Sequence, residues 1–95
     1  MTDETKLQQQ AVRGAQAKVL LENELIVEAF KALKYKYIKA WQDTTADERD
    51  MRENLYQAVQ IVGEVQSHLE RLVSSGNLAR HELEQLAKRQ RPRAA

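Results

Sequence analysis

Cysteine is absent from these 95 residues, so the chain has neither a disulfide framework nor a thiolate metal site. One proline and three glycines leave little to interrupt regular structure, and no strand pattern competes. No phosphate-cradling glycine loop occurs either. No apolar run approaches the ~18 residues that span a bilayer. The polar opening, Met1 to Gln10, argues against a signal peptide, and a cytoplasmic location is expected. Excess charge of one sign is missing too. Lys and Arg number 15 against 14 Asp and Glu, so bulk charge does not single out nucleic acid as a partner. The imbalance is local: residues 1–50 hold eight basic against nine acidic side chains, and residues 51–95 hold seven against five.

What is present is helix-forming composition and a helical period. Met51, Leu55, Ala58, Val62, Val65, Leu69 and Leu72 follow an alternating four-three spacing. That 3.5-residue period marks a helix with one seam buried against another long helix. Ile26, Phe30, Leu33, Tyr37 and Ala40 repeat the spacing upstream, and Trp41 should close its end. Further upstream, Leu7, Ala11, Ala15 and Val19 recur at intervals of four. Gly14 interrupts that stretch; it is either tolerated or marks close approach of a neighbouring helix around Gly14 and Ala15.

Punctuation divides these stripes. Residues 1–4 read as a frayed end. Asn23 is a poor helix-interior residue and a good cap, so the first helix is kinked or broken there. Asp43-Thr44-Thr45 is a polar turn, and Thr45-Ala46-Asp47-Glu48 reads as a capping box. In that box the Thr45 hydroxyl accepts from the Glu48 amide, and the Glu48 carboxylate reaches back to the Thr45 amide. The long helix is expected from about Ala46 to Ser74, ended by Gly76 as a left-handed cap. A short helix over about 77–90 follows, stopped by Pro92, with a basic tail over 88–95. The expected fold is therefore all-α and a single domain over 1–95: a long antiparallel αα-hairpin over about 5–75 with a kinked or broken first helix, and a short C-terminal helix. Pairing should bring Ala40 and Trp41 near Met51, and Ile26 and Phe30 near Val62–Leu69.

Catalytic chemistry finds little footing. His68 and His81 stand thirteen residues apart. Ser67 and His68 are adjacent on a helix and diverge by about 100°, which prevents a nucleophile–base pair. Glu64 and His68 share metal-ligand spacing but stand alone, and a surface contact accounts for them. No catalytic, cofactor-binding or metal-binding residue is assigned, no cofactor is expected, and the chain reads as a non-enzyme.

Surfaces offer more. Lys31, Lys34, Lys36 and Lys39 enclose Tyr35 in a segment without acids. An exposed tyrosine between Lys31 and Lys39 could stack on a base or lie against phosphates, with Arg89, Arg91 and Arg93 as further contacts. The plainer account is a solvated helix face and a solubilising tail. Apolar residues also remain after the seam is filled. Leu20, Val27 and Ile38 form a faint stripe, and Tyr56 and Ile61 fall outside the main seam. With Tyr35 they are candidate interface residues, because a helix apolar on two sides is usually packed on two sides. A second copy of the chain is favoured as the partner, over the short C-terminal helix; no membrane partner is expected.

Several segments stand out as words rather than composition: Arg13-Gly14-Ala15-Gln16-Ala17, Leu20-Leu21-Glu22-Asn23, Glu28-Ala29-Phe30, Ala40-Trp41, Arg52-Glu53-Asn54-Leu55-Tyr56, Ser67-His68-Leu69 and Ser75-Gly76-Asn77-Leu78-Ala79. Together they resemble a group of small tailed-bacteriophage proteins encoded among head and DNA-packaging genes, which implies a location in the cytoplasm of a bacterial host cell, with the virion as an alternative. The resemblance covers about residues 12–80 and departs at Asn23-Glu24, where proline would be expected after the asparagine. It brings no catalytic residue with it. It implies a role in virion assembly or DNA packaging through helix-mediated oligomerisation, with a head or packaging protein as partner. The alternatives are a nucleic-acid-binding accessory resembling a small terminase subunit, and an inhibitor or adaptor that binds a host protein.

Overall fold

The computed structural model describes residues 3–90, and among them every regular element is helical: α1 (Glu4–Glu22), α2 (Glu24–Gln42) and α3 (Arg49–Gln90). The chain divides into two compact units. Among the described residues, one joins residues 3–20 to residues 69–90, and the other comprises Leu21–His68.

Asp3 starts α1. Its side chain accepts from the Thr5 amide at 3.0 Å and its carbonyl from the Leu7 amide at 3.1 Å. This corrects the reading of Asp3 and Glu4 as part of a frayed end, because the cap satisfies amides of the first turn; Met1 and Thr2 lie outside the described residues. Asn23 sits between α1 and α2 in extended backbone (φ −72°, ψ 123°), and its side-chain oxygen accepts from the Leu25 and Ile26 amides at 2.9 and 3.2 Å. Glu24 follows in the first turn of α2, where the positive end of the helix dipole favours a carboxylate.

In the first unit α1 lies antiparallel to the C-terminal part of α3. Gly14 meets Gly76, while Gln90 donates to Glu4 at 3.3 Å. The buried positions are Leu7, Gly14 and Ala17 on α1 and Gly76 and Ala79 on α3. The seam of α1 thus runs through Gly14 and Ala17 and leaves the expected Ala15 and Val19 exposed. Small residues win these positions because the backbones are in contact: a Cβ on Gly14 would lie 2.8 Å from the Leu72 carbonyl oxygen.

The same contact overturns the expected end at Gly76. No glycine has a positive φ, so no left-handed cap exists, and α3 continues for 42 residues to Gln90 without a separate C-terminal helix. Glycine in a helix interior costs about 1 kcal/mol relative to alanine. Here the missing side chain is what admits Gly14, and close packing offsets the backbone cost.

In the second unit α2 lies antiparallel to the N-terminal part of α3. Lys34 Nζ donates to Gln66 Oε1 at 2.8 Å, and the Arg52 guanidinium stands 4.7 Å from the centre of the Trp41 ring. Leu55, Val62 and Gln66 turn toward α2 and are half-buried, with Ala58 half-buried at the edge of that row; Met51 and Val65, expected in the seam, are 52% and 49% exposed. They stand on the flank because the facing row shifts by one position, to Arg52 and Gln66. Both of these long side chains reach across to α2.

The linker departs from its expected form in two respects. α3 begins at Arg49 rather than near Ala46. The Thr45 amide donates to Glu48 Oε1 at 2.9 Å as a capping box requires, but the hydroxyl donates to the Asp47 and Glu48 carboxylates. With two carboxylates in reach, donation to charge is stronger than acceptance from an amide. The Glu48 carbonyl then accepts from the Arg52 amide at 3.0 Å and opens α3.

Candidate interaction surfaces

The helices bury little. Leu7, Ala17 and Ala79 are the buried hydrophobic side chains among the described residues, and α2 contributes none. The molecule exposes 7918 Å². A compact monomer of 11.0 kDa is expected to expose about 5600 Å², roughly 2300 Å² less. The seven residues outside the described stretch account for at most about 1200 Å² at the rate of an unfolded chain, so roughly 1100 Å² of the excess belongs to the helices. Much of that surface is apolar: Leu25, Leu33, Met51, Ile61 and Val65 are all exposed.

The lysine segment separates into two groups. Tyr35 is 69% exposed, and Lys31, Lys36 and Lys39 are exposed around it. Lys34 is half-buried and committed to Gln66. Lys31 and Lys34 also border a cavity of about 220 Å³ with Leu21, Ile26, Val27 and Phe30. Val27 is therefore part of a half-covered apolar recess, whereas Ile38 is exposed. Leu20 is exposed in the other unit.

Tyr56 and Ile61 do not share a patch. Five residues apart on one helix, they diverge by about 140°. Tyr56 lies beside Trp41, Arg49, Arg52 and Glu53 around a hollow of about 360 Å³. Sequence reasoning missed the Trp41–Arg52 pair, in which the guanidinium also donates to Thr44 Oγ1 at 2.9 Å. Its signal was available: Arg52 is the charged residue that interrupts the facing row of α3. Arg89 is exposed near the end of α3; Arg91 and Arg93 lie outside the described residues.

Two carboxylates have their acidity altered by position. The Thr45 hydroxyl holds Asp47 below the ordinary carboxylate value. For Glu48 the Thr45 amide is the main cause and the Thr45 hydroxyl the second. These are capping interactions. Among the described residues no three His, Asp or Glu side chains gather as metal ligands, and no helix is long and apolar enough to cross a membrane. No known protein family, curated protein or solved structure matches the chain.

Proposed function

We propose that this chain is a non-enzymatic assembly protein, an αα-hairpin that works by associating with further copies of itself. The excess surface carries the reading. Roughly 1100 Å² per chain is the area that each partner of an obligate homodimer covers at the lower end of its range. The near balance of 15 basic and 14 acidic residues sets no strong charge barrier to self-association. The resemblance to tailed-phage proteins supports a place in virion assembly or DNA packaging, with a head or packaging protein as the further partner. Light scattering of the full chain at tens of micromolar should give a multiple of 11.0 kDa. A folded, strictly monomeric chain would overturn the proposal.

A second reading rests on exposed Tyr35 between exposed Lys31 and Lys39, a pattern suited to stacking on a base beside a phosphate backbone. With Arg89, Arg91 and Arg93 it would make the protein a nucleic-acid-binding accessory. Such binding weakens steeply with salt as counterions are released. If no DNA or RNA is retained at ~50 mM salt, this reading fails.

A further inference from the structure

The α2–α3 pair of the Leu21–His68 unit has two flanks of different chemistry. Lys34 with Gln66 and Trp41 with Arg52 mark one of them. That flank carries Lys31, Lys34 and Arg52 among its apolar residues, and it includes Val27, Ile38 and Tyr56. At about 100° per residue, the opposite flank is formed by Ala29, Leu33 and Ala40 of α2 and by Met51, Ala58 and Val65 of α3. These six positions hold no charge in a chain of which 31% of residues are charged. Leu33, Met51 and Val65 are exposed on it. Lys36 and Asn54 lie at its outer edges beside Leu25 and Ile61, so an apolar centre is rimmed by polar groups, as in a protein interface.

We propose that this charge-free flank is the surface on which two copies of the chain meet, the two α2–α3 pairs forming a four-helix layer. The inference rests on the assembly reading above and selects the face that assembly uses. A second copy suits the flank for three reasons. Large and small residues alternate along both helices, with Leu33 between Ala29 and Ala40 and Ala58 between Met51 and Val65, so the same surface can interdigitate with itself. Without charge, a face meeting its own copy encounters no like-charge repulsion. Leu33, Met51 and Val65 are also 39%, 52% and 49% exposed, so the flank has apolar surface left to cover. The stripe at Val27 and Ile38 is less suited, because Lys31, Lys34 and Arg52 would meet their own copies or have to be desolvated.

Two measurements test the face. Light scattering compares the full-length chain with Val65→Glu and Ile38→Glu. The expected result is at least a tenfold weaker association for V65E and an unchanged mass for I38E. Where a variant loses helicity, cross-linking decides. Because the natural chain has no cysteine, Leu33→Cys and Ile38→Cys, at positions of similar exposure, each carry one thiol for a short bismaleimide. A covalent dimer should form from L33C at least ten times more readily than from I38C. Equal or reversed yields from an oligomeric chain would overturn the face and leave assembly standing. A monomeric wild type would overturn both.

Discussion

Gly14 of α1 and Gly76 of α3 touch through their backbones: a Cβ on either would stand 2.6 Å from the Cα of the other. Neither helix can move away cheaply, because Ala17 and Ala79 beside them are each only 2% exposed.

Replacing either glycine by alanine should therefore destabilise the protein. Helix propensity would return about 1 kcal/mol, but overpacking against backbone costs about 1–3 kcal/mol and should prevail. Gly63 is the internal control. Nothing lies within 4 Å of a Cβ there, so Gly63→Ala should stabilise by about 0.5–1 kcal/mol. Urea midpoints of the three variants should move in these opposite directions.

Asn23→Ala should cost about 1 kcal/mol through loss of the two bonds to Leu25 and Ile26. Asn23→Asp retains an acceptor at the helix N-terminus and should remain near the wild type. Thermal melts followed by circular dichroism would check the pair. Equal melting temperatures for N23A and wild type would mean that the cap contributes nothing.

The turn before α3 should be acid-sensitive. Glu48 and Asp47 titrate below their ordinary values of 4.5 and 3.8 in the folded chain. A depressed carboxyl contributes stability above its unfolded value and loses it as pH falls through the folded one. Stability should thus decline from about pH 4.5 downward, and less so in Glu48→Gln. The readout is the difference between the two melting-temperature profiles; parallel curves would rule out the linkage.

Trp41 is the single tryptophan and reports its own environment. Arg52→Ala removes the cation over its ring and the bond to Thr44. Its emission should shift, with a loss of about 0.5–1 kcal/mol. Arg52→Lys should retain part of the cation–π contact without the bond to Thr44.

Much of the helical character and its punctuation was legible in the sequence. Asn23 and Glu48 act through neighbours two or three residues away, and such local bonds are written in the order of residues. Surface patches were less legible. Tyr56 and Ile61 were grouped as leftovers of one seam, yet the row facing α2 had to be known before their separate flanks could be told apart.

The sequence by itself determined that the regular structure is helical and where the second helix begins, since propensity, period and caps are short-range properties. It also marked Gly14 as a candidate for close approach. Only the tertiary structure decided between the two meanings of Gly76. A glycine after Ser75 reads locally as a helix end. Its role in the helix interior depends on Gly14, 62 positions earlier in the chain. No local rule holds that partner, because the approach of two backbones is a property of the folded pair.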